Sequence, residues 1–492
     1  MSSTENQPLT IKDIPIVKNK DLKKAIIAVA LGNAVEWFDF AVFAYLVGII
    51  GQNFFSGLPT STQIVVTFAL FSVTFIFRPL GGVVFGALGD KYGRKSVLAF
   101  TIVLMTASTA CIGLLPTSHS PGMLGVLAPF LLLAIKIIQG LSVGGEYTGA
   151  IVFVSEYSPD RKRGFMASWL DFGSIAGFLL GASVVALLGL IIGQDNMNEW
   201  GWRIPFLLSL PLGIIGLYLR KHLDETPTYE AQIEEGEQET ASYKEIFQQN
   251  WKSIIVCCGI VIATNTTYYM LLTYLPTYLS NNLGYSDAHG NRIIIIVMIC
   301  MLFMQPLVGY LSDKIGRRPF IFAGSFLLLF FSIPAFWLIQ HDVIWMVSIG
   351  IGIIGLGLCC FIGVMASILP ALFPTDVRFR SLGISFNITV AIAGLTPTIA
   401  SLLVEKTGNL YVPAFYLMLV SIIIFAIGVL MKETANRPLK DSPPVASSKK
   451  EAKEVLQEHF DYIEDRVSLI EEKISQLEEK RQELVDQHPK LN

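Results

Sequence analysis

The sequence predicts an all-α polytopic membrane protein: twelve transmembrane helices in two six-helix halves, followed by a C-terminal cytoplasmic coiled-coil helix. Three observations carry this prediction. Hydrophobic residues make up 52% of the 492 and charged residues only 15%, far more apolar than a soluble domain. The apolar residues gather in runs of about 20 or more, the length that crosses a bilayer as a helix. A loop pattern, GALGDKYGRK at Gly86–Lys95, returns as GYLSDKIGRR at Gly309–Arg318, one copy in each half.

Residues 1–24 read as a polar cytoplasmic segment. The apolar run that follows is too long for a signal peptide and has no convincing cleavage site, so it is a retained span. The expected spans are 25–51, 64–88, 97–115, 123–148, 164–191 and 203–220 in the first half, and 252–280, 292–311, 319–340, 343–371, 379–404 and 410–431 in the second. A Glu- and Gln-rich linker, 221–251, joins the bundles 25–220 and 252–431. LDETP (Leu223–Pro227) after the sixth span is echoed by KETANRP (Lys432–Pro438) after the twelfth. Basic residues cluster in alternate loops, among them Lys91, Arg94 and Lys95, Arg161 to Arg163, and Lys314, Arg317 and Arg318, which places both termini in the cytoplasm. Duplication around a polar linker is the pattern of a secondary transporter with its site between the halves.

A second linker, 432–450, leads to the tail at 451–488. There Leu456, Phe460, Ile463, Val467, Ile470, Ile474, Leu477 and Leu484 alternate in steps of four and three, a heptad seam. Such a tail dimerises or docks on another helix, with a homodimer as the expected partnership; a lone amphipathic surface helix is the alternative. Arg481 breaks the seam and is the expected determinant of coiled-coil register.

Charge inside the membrane is where function is expected, because each such group costs roughly 2.5–3.5 kcal/mol at a helix centre. LGNAVEWFDF (Leu31–Phe40) carries two acids, Glu36 and Asp39; Arg78 lies in the second span and Lys136 in the fourth. Asn33, Glu36, Trp37 and Phe40 share one helix face, as do Lys136, Gln139 and Tyr147. A carboxylate whose environment switches between burial and a nearby cation can take up and release a proton. A static buried salt bridge is the competing reading.

The doubled loop motif resembles the signature of the major facilitator superfamily. SVGGEYTGA (Ser142–Ala150), EYSPDRKRGFMASWLDFGSIAG (Glu156–Gly177) and ATNTTYYMLLTYLPTYL (Ala263–Leu279) resemble its metabolite:proton symporter branch. Together with the tail, they are similar to bacterial osmosensing transporters of zwitterionic osmolytes. The resemblance implies the major facilitator fold and proton-driven uptake of proline, glycine betaine and related compounds, increased by hyperosmotic stress. It also implies a multi-pass protein of the bacterial inner membrane, with lipid around it, the proton as coupling ion and no cofactor.

KIIQG (Lys136–Gly140) resembles the superfamily's RxxQG motif with Lys for Arg, and Lys can lose its proton where Arg cannot. In the superfamily the first and fourth helices line the central cavity, which sets Glu36 opposite Lys136 as the expected proton-coupling pair, with Asp39 as second choice. Quaternary ammonium is held by aromatic faces, and Trp37, Phe40, Trp169, Tyr268 and Tyr269 are the candidates. Arg78, Gln139, Tyr147, Asn265 and Asn387 complete the expected substrate-binding set. Asp90, Arg94, Asp313 and Arg317, with Asp171, are the expected gating residues, acting through ion pairs that hold one state of the cycle.

Other classes fit less well. GDKYGRKS (Gly89–Ser96) has Arg94 where a phosphate-binding loop needs Lys, and no HExxH, GxSxG or Cys/His constellation is present, so an enzyme is not expected. The six cysteines all fall in apolar runs and read as packing residues, with no metal site. A net charge of −3 does not point to nucleic acid. The alternatives that remain are a symporter for an organic anion such as a dicarboxylate, and a membrane osmosensor that does not transport.

Overall fold

The computed structural model describes residues 10–487 except 12–13, 18, 93, 222–242, 286 and 342. Leu223–Pro227 and most of the expected linker lie outside these residues. Among the described residues, ten helices are long and apolar enough to cross a membrane. Two further helices, Gln194–Gly201 and Arg203–Tyr218, are long and apolar enough only when taken together, and they are bent by 51° at a short break. At the expected third span stands the helix Arg94–Leu114, with a shorter apolar stretch, Ala99–Leu114.

Several expected spans are interrupted where the sequence predicts continuity. The first is Asn19–Tyr45 followed by Val47–Phe54, and the second is Thr60–Ile76 followed by Arg78–Tyr92. The seventh runs from Tyr243 to Tyr269 and then opens into a π-turn at Met270–Tyr274. Such wide turns are rare and gather at functional sites.

In the first half, the Asn19–Tyr45 helix packs along Arg163–Ile192. Gly177 makes this approach possible, since a Cβ there would stand 2.3 Å from the Ala34 carbonyl oxygen. Between halves, Arg163–Ile192 packs on Asp287–Ile315, and the Thr60–Ile76 and Arg78–Tyr92 helices pack on Arg378–Ala393. The outward faces are rich in exposed Leu, Ile, Val and Phe, as a lipid-facing surface requires.

The tail forms one helix, Lys449–Gln487. Leu456 packs against a small cluster of Ile14, Ala446 and Ala452, whereas Phe460, Val467, Ile474 and Leu477 further along the seam are exposed. The side chain of Arg481 lies outside the described ones.

Candidate functional site

The first helix distributes its polar residues among three neighbours. Glu36 and Asp39, three residues apart, point about 60° apart around the helix axis. Glu36 Oε1 meets Arg78 Nη2 at 3.3 Å, both side chains 1% exposed. Asp39 Oδ2 accepts from the Thr109 hydroxyl at 2.8 Å. Asn33 donates to Ser174 Oγ at 2.6 Å and to the Leu170 carbonyl at 2.7 Å, and accepts from Trp37 Nε1 at 3.1 Å.

The expected Glu36–Lys136 pairing is therefore not what forms. Lys136 Nζ donates to Gln139 Oε1 at 2.7 Å and lies 4.0 Å from the centre of the Phe43 ring. Gln139 Nε2 donates to Thr109 Oγ1 at 2.9 Å, so a chain of polar groups runs from Lys136 through Gln139 and Thr109 to Asp39. Gln139 belongs to this network within the first half. Sequence reasoning missed Thr109, and it missed Glu146, a buried acid that also acts electrostatically on Asp39. The signal for Glu146 was present, since it is an acid inside an apolar helix and directly precedes Tyr147.

Aromatic rings fill the junction of the halves. Trp37 lies 4.9 Å from Tyr268 and 6.4 Å from Tyr269, ring centre to ring centre. Phe178 stands edge-on to Tyr268 at 5.3 Å, Tyr269 meets Phe75 at 4.9 Å, and Phe40 stacks on Phe75 at 5.2 Å. Tyr269 also lies within electrostatic reach of both Arg78 and Glu36. The hydroxyls of Tyr268 and Tyr269 are buried and have no hydrogen-bond partner among the described residues, and the same holds for Arg78 Nε.

Trp169 is not part of this cluster. It is half-buried and packs on Phe165 and Phe172. Two residues along a helix turn the side chain by about 200°, so Trp169 and Asp171 face opposite ways. Asp171, expected among the gating residues, lies about 12 Å into its helix, where the Tyr147 hydroxyl donates to its Oδ1. Tyr147 stacks on Phe386 of the second half at 4.9 Å. Asn265 turns back on its own helix, donating to the Val261 carbonyl at 3.0 Å. Asn387 ties the halves together through Gly144 O at 2.6 Å.

At the end with the basic loops, the expected ion pair at Asp313 is replaced by a helix cap. Its two carboxylate oxygens accept from the backbone N–H of Gly164 at 2.7 Å and of Phe165 at 2.8 Å, across the junction of the halves. The free N–H groups and positive dipole end of a helix attract an anion there. Gly164 allows this approach, because a Cβ there would stand 2.8 Å from the Gly309 carbonyl oxygen. Arg317 donates to Ser367 O and Thr434 Oγ1, both at 2.9 Å. Burial and the Arg163 charge push its pKa down to about 10, with Asp313, Glu433 and Asp160 opposing, so it stays charged at neutral pH. The Asp90 and Arg94 side chains lie outside the described ones.

The segment before the tail is stitched to both halves at this end. Arg163 Nη1 donates to Arg437 O at 2.9 Å, and Arg378 Nη2 to Lys440 O at 2.9 Å. Val445 exchanges hydrogen bonds with Asp160, and Ala446 pairs as an isolated parallel bridge with Ile16. Arg161 reaches Glu454 at 2.7 Å and Glu458 at 2.5 Å on the tail helix. Arg378 also pairs with Glu156 across the halves at 2.8 Å. At the opposite end Ser61 donates to Glu405 at 2.7 Å, while Ser72, between Phe71 and Phe75 of the aromatic junction, donates to Gly394 O at 2.7 Å. Both ends are tied between halves, and the aromatic junction lies sealed between them.

The sequence model of the sugar (and other) transporter family matches twice, at residues 24–246 and 229–445, once for each half. The proline/betaine transporter of Escherichia coli K12 is 54% identical over 99% of this chain and 98% of its own. The chain belongs to this transporter family. The glycine betaine/proline/ectoine/pipecolic acid transporter of Dickeya dadantii is also 54% identical, over 99% of this chain and 98% of its own. An ectoine/proline transporter of Corynebacterium glutamicum is 39% identical over 92% of each. Residues 447–492 match the osmosensory transporter coiled coil. In fold, the chain is similar to a major facilitator superfamily proton:xylose symporter, with a TM-score of 0.69 over 86% of this chain and 98% of the other at 19% identity. The family is one of membrane transporters with the major facilitator fold, not of enzymes.

Proposed function

We propose that this protein is a proton-coupled secondary transporter. It imports zwitterionic osmolytes, among them proline and glycine betaine, by alternating access, and hyperosmotic stress raises its activity. The observation that carries this reading is the central site where the halves meet: a buried acid–guanidinium pair, Glu36 and Arg78, within electrostatic reach of Tyr269, whose ring lies 6.4 Å from Trp37. Rings there supply faces for a methylated or secondary ammonium, and relatives at 54% identity carry proline and betaine in their names. An organic-anion symporter fits less well, since the cation at the junction, Arg78, lies against an acid, Glu36, and Lys136 donates to Gln139.

Asp39 is the proton carrier in this account, in place of the Glu36 favoured from sequence. Glu36 is held by a guanidinium, which does not release its own proton. Asp39 has one oxygen on Thr109, the other without a partner among the described residues, and its nearest cation, Lys136, at the far end of the Gln139–Thr109 chain. The proton is the only coupling species invoked and no cofactor is required. The protein resides in the bacterial inner membrane with both termini cytoplasmic. Two copies pair through the exposed tail seam, with Arg481 setting register. The test is uptake of labelled proline, betaine and a dicarboxylate by a strain lacking osmolyte carriers. Uptake of the two zwitterions, raised by added osmolyte, supports the reading; uptake of the dicarboxylate alone ends it.

A further inference from the structure

Asp171 is a buried acid with no part in the proton path above. It shares a helix face with Ser174 and Phe178, three and seven residues further on. Phe178 stands edge-on to Tyr268 of the other half at 5.3 Å and lies 5.7 Å from Trp37, so this face belongs to the junction of the halves. Asp171 is 3% exposed, and Tyr147, stacked on Phe386 of the second half at 4.9 Å, donates to its Oδ1. A buried charge calls for a partner. Among the described residues Asp171 has no ion pair, and its Oδ2 has no hydrogen-bond partner. The Tyr268 hydroxyl is buried without a partner too, and it lies within electrostatic reach of Asp171. An acceptor and a donor thus stand near each other at the junction without bonding to each other.

We infer that Asp171 and Tyr268 form a subsite for the amino-acid end of the substrate, and that Asp171 distinguishes a nitrogen bearing hydrogen from a quaternary one. The inference rests on the transport reading above and deepens it. The nitrogen and the carboxylate of an α-amino acid are bonded to one carbon, so a single ligand reaches both groups. Its N–H donates to Asp171 Oδ2, and its carboxylate accepts from the Tyr268 hydroxyl. A secondary ammonium brings two N–H groups and its charge to contact distance, and a hydrogen bond between two ionised groups is roughly twice as strong as a neutral one. A quaternary nitrogen has no N–H to give, and its methyl groups hold its charge away from the oxygen. Ring faces hold such a nitrogen instead, here those of Trp37, Phe178 and Tyr268. Tyr147 is a positioning residue: by donating to Oδ1 it fixes the carboxylate and leaves Oδ2 to the ligand.

Three ligands with one ring test this: proline, N-methylproline and N,N-dimethylproline, whose nitrogens carry two, one and no hydrogens. Their binding to the purified full chain is measured by calorimetry for the wild type, Asp171→Asn and Tyr147→Phe. Asp171→Asn keeps the shape and removes the charge, which weakens all three ligands but proline most. The ratio of proline to dimethylproline affinity should fall by about tenfold or more relative to the wild type, with N-methylproline between them. Tyr147→Phe keeps the ring on Phe386 and removes only the donor to Oδ1; it should lower the same ratio by about threefold or more. Asp171→Asn decides the question, and Tyr147→Phe decides it if Asp171→Asn does not fold. Weakening of all three ligands by one factor would overturn the inference and leave the transport reading standing, because an acid that only braces the helices does not count N–H groups. Binding of none of the three by the folded wild type would overturn the transport reading and the inference with it.

Discussion

Asp313 caps the Arg163–Ile192 helix: its Oδ1 lies 2.7 Å from the backbone nitrogen of Gly164 in the first turn, and the two residues belong to opposite halves of the bundle. A carboxylate on the free N–H groups of a helix start is worth about 1–2 kcal/mol. On the transport reading proposed above, opening this end breaks the contact. Asp313→Asn should therefore shift the balance toward the form open at this end by roughly 5–30-fold. Thiol labelling of a cysteine placed at Ala366, at the Ser155–Ala366 contact between halves, reads that shift as faster modification. An unchanged rate would mean that the cap does not hold the gate.

Glu433 anchors the start of the ninth span. Burial pushes its carboxyl up, but hydrogen bonds from the backbone N–H of Arg317, Ala435, Arg318 and Thr434 outweigh it and hold the pKa below the usual carboxylate range. A depressed folded value means that the stabilisation is complete above the unfolded value and fades as pH falls through the folded one. The difference in melting temperature between wild type and Glu433→Gln should be largest above about pH 5 and shrink on acidification. A difference that grows toward acid would reverse the assignment.

The base of the tail depends more on Asp160 than on Arg161. Asp160 is buried, pairs with Arg163 and exchanges hydrogen bonds with Val445. The Arg161 pairs with Glu454 and Glu458 are largely exposed, worth about 0–1 kcal/mol each. Limited proteolysis between 437 and 448 should accelerate by about tenfold or more in Asp160→Ala, and by under about fivefold in Arg161→Ala. Equal effects would show that the ion pairs, not the buried anchor, fasten the tail.

Much of this was legible in the sequence because a bilayer imposes long apolar runs and the loop motif repeats. The heptad seam was equally plain, since Phe460, Val467 and Ile474 keep their spacing with no competing signal. What spacing alone did not settle was which helix each charge meets. Glu36 and Asp39 are near neighbours in sequence, yet a rotation of about 60° sends one to Arg78 and the other to Thr109. Lys136 meets Gln139 one turn along its own helix and the Phe43 ring of the first helix, two turns beyond Glu36. Trp169 and Asp171 lie two residues apart in sequence, and helical geometry turns them opposite ways. Asp313 is a helix cap and not half of an ion pair, a distinction that depends on where the Arg163–Ile192 helix begins in space.

The central claim is that Asp39 carries the coupled proton. Accumulation of labelled glycine betaine in liposomes containing the purified protein, driven by an imposed pH gradient, tests it most directly when wild type and Asp39→Asn are compared. The account predicts that wild type concentrates betaine, and that Asp39→Asn exchanges it across the membrane at a similar rate but builds no gradient. Wild-type accumulation by Asp39→Asn would contradict it.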